Sequence, residues 1–323
     1  MNRFSPYTDL ALEAAEALAE NLKEDSGVQV KTSDSDEASL TVVKIVNDEG
    51  VKETGKPIGT YITIESPYMR ENTPDIHQDL KKIFADSLSE LCNLKEEDTV
   101  LIVGLGNRYV TPDSLGPKVI SGIMVTRHLK DSLPEEIKAD VRPVAAITPG
   151  VMGLTGIESA EIIKGIVDKI HPSLVIAIDA LAARKTSRIN ATVQMSDTGV
   201  TPGAGVGNTR GALNKETMGV PVIAIGVPTV VDAATLVNDS LNSILSEMVE
   251  ASEKGKDFYN TLISLSDEEK YPLISACLDP YCGNMFVTPK EVDSVVETLA
   301  DIIADGINMA LQRGINLDNV NKM

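Results

Sequence analysis

The chain has 323 residues, 42% of them hydrophobic and 24% charged, values of a globular protein and not of a disordered or collagen-like one. Its 48 acidic against 29 basic residues give a formal charge of -19. A field of that sign argues against binding of nucleic acid by the bulk surface, favours solubility and is compatible with a basic partner, including a basic protein substrate. With 3% aromatics and no Trp, the core must come from Val, Ile, Leu, Ala and Met, a composition typical of parallel strands covered by helices.

Residues 1–9 are polar and include Pro6. Asp9 is placed to cap a helix over 10–22, whose Leu10, Leu12, Ala14, Ala15, Leu18 and Leu22 form a broad apolar face. An acidic amphipathic run stands where a signal peptide would carry its apolar stretch. No window approaches the ~18 uninterrupted apolar residues of a spanning helix. Both absences point to the cytoplasm and away from a membrane. Residues 23–39 read as a charged loop or weak strands, and 38–46 and 58–66 as strands of a small sheet appended before the core. A helix follows over 73–91.

The main rhythm then begins. TVLIVGLG (99–106) is a strand running into a glycine-rich loop, followed by a helix from about Leu115 through the RHL segment. Strands are predicted at 142–150, 174–180, 188–196 and 221–228, with helices at 156–170 and 231–249. Residues 250–288 read as a charged insertion or cap, and 291–311 as a terminal helix. The order predicts a three-layer α/β/α core on a mostly parallel sheet, with small N-terminal β-rich and C-terminal helical additions. Residues 10–323 form one domain, with additions at about 10–70 and 250–290.

Most familiar chemistries fail on inspection. In GLGN (104–107) the third glycine of a dinucleotide fingerprint would fall on Tyr109, and no phosphate-binding GxxxxGK[ST] occurs. His77, His128 and His171 make no short-spaced metal pair. His128 suits a helix end and His171 a helix stop before Pro172. No GxSxG elbow is present. Cys92, Cys277 and Cys282 form no disulfide framework and read as reduced thiols.

What remains are carboxylates at strand ends. Asp113 follows the first glycine-rich loop in VTPDSLGP, and Asp179 closes the apolar run VIAID. Loops at the carboxyl edge of a parallel sheet form the usual site. Two close carboxylates can divide the roles of acid and base and so activate water. They can equally hold a divalent metal or bind a sugar, or merely cap helices. Asn107, Thr111, Thr148, Thr155, Glu158 and Arg184 share the predicted rim. Asn107 or nearby amides are candidates to stabilise an oxyanion. The glycine-rich run 196–211 is a second candidate source of amide donors, and Asp232 is placed to cap the helix that follows it.

Several long stretches resemble the germination protease (spore protease) family: VGLGNRYVTPDSLGP, TRHL, PGVMGLTGIE, VIAIDALAAR, the SDTG…PGAGVGN loop and ETMGVPVIAIGVPTVVDA, with YTDLA near the N-terminus. The resemblance implies an endopeptidase that starts the degradation of small acid-soluble spore proteins at germination, in the cytoplasm of the spore core. It implies a fold like that of the hydrogenase-maturation endopeptidases, with Asp113 and Asp179 as the two essential aspartates. It also implies a homotetramer, and a zymogen that removes residues 1–9 as a propeptide by cutting between Asp9 and Leu10. No cofactor is predicted. A divalent metal on the same carboxylates stays open as an alternative, as does a non-catalytic protein that binds basic spore proteins.

Overall fold

The computed structural model describes residues 10–18, 27–71, 73–129, 132, 141–201, 211–251, 267–282 and 285–312. Asp9, the rest of segment 1–9 and most of the predicted loop 196–211 lie outside the described residues.

One sheet organises the fold. Its strands are β1 (Val28–Asp34), β2 (Ser39–Ile45), β3 (Gly59–Glu65), β4 (Val100–Gly104), β5 (Val144–Ile147), β6 (Leu174–Ala183), β7 (Thr192–Ser196), β8 (Val222–Asp232) and β9 (Phe286–Val287). They lie in the order β1-β2-β3-β7-β8-β6-β4-β5, with β9 paired to β8. The parallel part comprises β8, β6, β4 and β5. These strands are buried on both faces, which explains why VLIVG and LVIAIDALAA read as continuous apolar runs. The strands from β1 through β3 and β7 to β8 are antiparallel, so the sheet is mixed.

The first three strands are not a separate small sheet, as the sequence had suggested. β3 pairs with β7 over Tyr61–Glu65 and Ser196–Thr192, so the appendage continues the main sheet. The pairing satisfies the backbone groups that β7 would otherwise leave on an open edge. Among the helices not anticipated is α2 (Asp48–Thr54). Its Asn47 cap accepts from the N–H groups of Glu49 and Gly50, and Gly55 closes it in the left-handed region.

Both faces carry helices. The first is covered by α3 (Pro74–Leu91), α4 (Leu115–Gly122) and a long C-terminal helix (Val292–Leu311). Phe84, Leu88, Val119, Leu299 and Ile303 pack there with Ile176 and Ile225 of the sheet. The helix starting at Leu115 does not run through the RHL segment as predicted. Asn308 of the C-terminal helix donates to Gly122 O and accepts from Met124 N–H, meeting the backbone groups released where α4 stops. A short 3-10 turn spans Arg127–Leu129. Gly104 and Gly116 let α4 sit directly on the end of β4, because a Cβ on Gly104 would lie 2.3 Å from Gly116 O.

On the opposite face, α5 (Met152–Thr155), α6 (Ser159–Ile170) and α7 (Lys215–Met218) follow in chain order. Ile163, Val167 and Met218 pack on Leu101, Val103 and Val175. His171 ends α6 in the left-handed region, as its place before Pro172 suggested. The helix α8 (Ala233–Ala251) follows β8, and Asp232 Oδ1 accepts from Ala234 N–H at its start. α9 (Asp267–Cys282) packs on α8 within the predicted cap region, and the C-terminal helix is α10. Cys92 and Cys277 are free thiols. Among the described residues no helix is long and apolar enough to cross a membrane.

The N-terminal helix α1 (Ala11–Leu18) covers β2 and β3 on the same face as α6. Ala11 packs with Val43, Ile45 and Tyr61.

Candidate active site

β4 ends at Gly104, and the chain turns at once. Gly106 has φ +107°, and a Cβ there would lie 2.1 Å from Asp113 O. Only glycine permits this return of the loop onto its own later residue. The Asn107 N–H donates to Asp113 Oδ2 at 2.8 Å, and the Asp113 N–H donates to Val110 O at 2.8 Å. Thr229 of β8 donates its hydroxyl to Pro112 O at 2.7 Å. The TPD turn is thereby fixed from both the β4 loop and β8, and Asp113 stays half-buried.

Asp179 stands within β6, 6% exposed, with its Oδ1 accepting from the Ala180 N–H at 3.0 Å. Its Cα lies opposite Gly226 of β8, which in turn lies opposite Gln194 of β7. Paired residues share a face of the sheet, so Asp179 and Gln194 project the same way, with a residue lacking a side chain between them. A register shift follows between Leu181 and Ala182, the kind of irregularity that re-aims side chains beside a site.

Asp113, Asp179 and Gln194 line a single cavity of about 640 Å³, with Tyr61, Lys56 and Ser159 on its walls. The Tyr61 hydroxyl donates to Pro57 O at 2.9 Å. Burial pushes its phenol up to about 12, with Asp197 adding to the shift and a hydrogen bond to Thr198 opposing it. Tyr61 therefore remains a neutral donor at physiological pH.

The remaining predicted residues are placed less centrally. Asn107 meets Asp113 through its backbone, while its side-chain Oδ1 accepts from Tyr109 N–H at 3.0 Å. Glu158 precedes α6, its Oε2 buried and without a hydrogen-bond partner among the described residues, but it is not among the cavity's lining residues. Thr155 bonds within its own turn, and Thr148 accepts from Arg108. Leu10 is fully buried. Among the described residues no three His, Cys, Asp or Glu side chains are grouped to hold a metal.

A second set of contacts escaped the sequence reading. The Ala11 N–H donates to Gln194 Oε1 at 2.5 Å. Glu13, 2% exposed, accepts from the Arg184 and Lys185 N–H groups, each at 3.0 Å, one on each carboxylate oxygen. Arg188, 5% exposed, lies 3.4 Å from Glu13, 2.5 Å from Glu16 and 2.7 Å from Glu65. Burial opposes the Glu16 charge, but the hydrogen bonds and charges of Arg188 and Lys185 outweigh it and hold its carboxyl below the usual range. Gln194 had one visible signal, a long polar side chain inside the strand TVQMS. Arg188 had none, since it reads only as the first residue of the strand predicted over 188–196, whereas it closes a 3-10 turn over Thr186–Arg188.

The architecture is that of an α/β enzyme whose cleft opens beside the carboxyl ends of its parallel strands. A model of the family described as "Germination protease" matches residues 7–263 and 246–323. The germination protease of Clostridium perfringens (strain ATCC 13124) is 50% identical over 322 residues, covering 99% of both chains. That of Clostridium tetani is 49% identical over 318 residues, 98% of each, and that of Bacillus cereus (strain AH187) 43% identical over 355 aligned residues, 99% of this chain and 97% of its own. The chain belongs to the germination protease family, and it is a peptide-bond hydrolase of spore germination. The solved [NiFe] hydrogenase maturation protease HycI of Thermococcus kodakarensis KOD1 superposes with TM-score 0.32 at 18% identity, over 69% of this chain and 99% of its own. At that distance nothing about the site transfers.

Proposed function

We propose that the protein is the endopeptidase that begins the breakdown of small acid-soluble spore proteins at germination, with Asp113 and Asp179 as its catalytic pair. The observation that carries this reading is the meeting of both aspartates at one cavity. One carboxylate takes a proton from water as it attacks the scissile carbonyl, and the other gives a proton to the departing amine. Backbone amides of the 106–109 loop, with Asn107, are the candidate donors to the oxyanion, and Glu158 supports the rim from the start of α6. The substrate is a small basic protein drawn to an acidic surface.

The reading includes a zymogen that releases residues 1–9 by cleavage at Asp9–Leu10, assembles as a homotetramer and works in the cytoplasm of the spore core. The family relationship supports each of these. Incubation of the protein with a small acid-soluble spore protein, with every new terminus mapped by mass spectrometry, should give a few discrete internal cuts. A protein that binds this substrate and never cleaves it would establish the binding-protein alternative. N-terminal sequencing of fully active enzyme should begin at Leu10, and persistence of residues 1–9 there would refute the zymogen.

The two carboxylates also keep a metal-assisted form of the same hydrolysis under test. Activity is expected to survive exhaustive chelation, with metal analysis of the treated protein as the control. Loss restored by one divalent cation would assign the attacking water to that ion.

A further inference from the structure

β8 carries one residue more than the stretch of β6 beside it. Leu181 lies opposite Pro228 and Ala182 opposite Val230, so Thr229 falls between two ladder pairs. Paired residues share a face of the sheet, and Leu181 and Ala182, being consecutive, face opposite ways. Pro228 and Val230 therefore face opposite ways too, although a spacing of two would put them on one face of a regular strand. Thr229 is the bulged residue that makes the difference. Bulges are rare between parallel strands, and beside an active site they serve to aim a side chain.

Thr229 is aimed at the turn that carries Asp113. It is 1% exposed, and its hydroxyl donates to Pro112 O at 2.7 Å. That carbonyl belongs to the peptide unit joining Pro112 to Asp113. The other end of the same unit, the Asp113 N–H, donates to Val110 O at 2.8 Å. A planar peptide tied at both ends is fixed in orientation. The direction in which the Asp113 side chain leaves the backbone is thus set by Thr229 and Val110 together, and the Asn107 N–H then holds the carboxylate at Oδ2. The turn itself spans only Thr111–Asp113, too short a piece of 3-10 helix to keep its own orientation. Thr229 is anchored in turn. Its carbonyl accepts from the Thr288 hydroxyl at 2.8 Å, and β9 pairs with β8 at Val231 and Asp232, just past the bulge.

We propose that Thr229 is a positioning residue for the hydrolysis: its hydroxyl, presented by the bulge in β8, sets the direction of the Asp113 carboxylate at the reacting bond. This rests on the proposed catalytic role of Asp113. Thr229 acts through that side chain and exchanges no proton with the substrate, so its effect belongs to turnover and not to peptide binding.

The test compares Thr229→Val, Thr229→Ala and Thr229→Ser enzymes with the wild type and with Asp113→Asn on a small acid-soluble spore protein. All are assayed with the same N-terminus, so that a failure of maturation is not read as a failure of turnover. In the Val and Ala enzymes kcat should fall by roughly 10- to 100-fold, the scale of a small misplacement of a reacting group, with KM little changed. The Ser enzyme should recover most of the lost kcat. Ser and Ala both lack the methyl group and differ by the hydroxyl alone, so this pair decides the matter even where the Val protein folds poorly. Equal kcat in the Ser and Ala enzymes, or a loss confined to KM, would overturn the inference. An Ala protein that does not fold would make the hydroxyl a structural tie and overturn it as well. Wild-type turnover by the Asp113→Asn enzyme would instead remove the role of Asp113, and the inference with it.

Discussion

Asp179→Asn and Asp113→Asn proteins should fold as the wild type does and lose peptidase activity by roughly 10²–10⁴-fold, the usual contribution of one general acid or base. The substitution keeps shape and hydrogen-bonding capacity while removing the charge and the titrating proton. At Asp113 the amide oxygen of asparagine can still accept from the Asn107 N–H, which bonds the carboxylate at 2.8 Å. At Asp179 it can still accept from the Ala180 N–H. Thermal melting should therefore move by a few degrees at most. Assays must follow a spore-protein substrate with pre-cleaved enzyme, so that a failure of maturation is not mistaken for a failure of turnover. Two folded variants with activity within tenfold of wild type would remove these aspartates from the chemistry.

The second large effect is expected at a residue with no side chain. Gly106→Ala places a methyl group 2.1 Å from Asp113 O and 3.0 Å from its Oδ1, at a backbone φ of +107°. The obstacle is backbone, so no rotamer change relieves it. The cost combines strain in a region closed to L-residues with overpacking, about 2–4 kcal/mol together. Urea denaturation measures it. Activity should fall by 100-fold or more even where the variant remains folded, because the methyl group displaces the carboxylate itself. A stable variant with normal turnover would show that the position of Asp113 is not critical.

Much of this arrangement was legible in the residues. β4, β6 and β8 announced themselves because strands buried on both faces must be apolar throughout. The two aspartates stood out because each interrupts or follows such a run. β1 gave only a weak signal within the charged stretch 23–39, since VQVKT alternates over few residues and the strand is mostly exposed. The direction of β7 was also hidden. TVQMS is apolar enough to be a parallel strand, and its antiparallel direction shows only in its pairing with β3 and β8. Gln194, Arg188 and Glu13 could not be read as a unit, because their relation exists only once α1 lies on the sheet. Local patterns report burial and turns, whereas the contacts that hold Glu13 depend on which distant segments meet.

The joining of β3 to β7 also has a consequence for biosynthesis. Glu65 and its partner Arg188 are separated by 123 residues. At ~5–20 residues per second, a ribosome takes on the order of ten seconds to travel between them. During that interval the emerging β1–β3 meander has an open side with nothing from its own chain to cover it. The loop carrying Asp113 is made before β7, yet the wall bearing Gln194 and the loop that grips Glu13 are made after it. A nascent chain therefore carries Asp113 well before β7 and β8 exist to complete the cavity that it lines, and the late strands of the sheet set the moment at which that cavity is walled in.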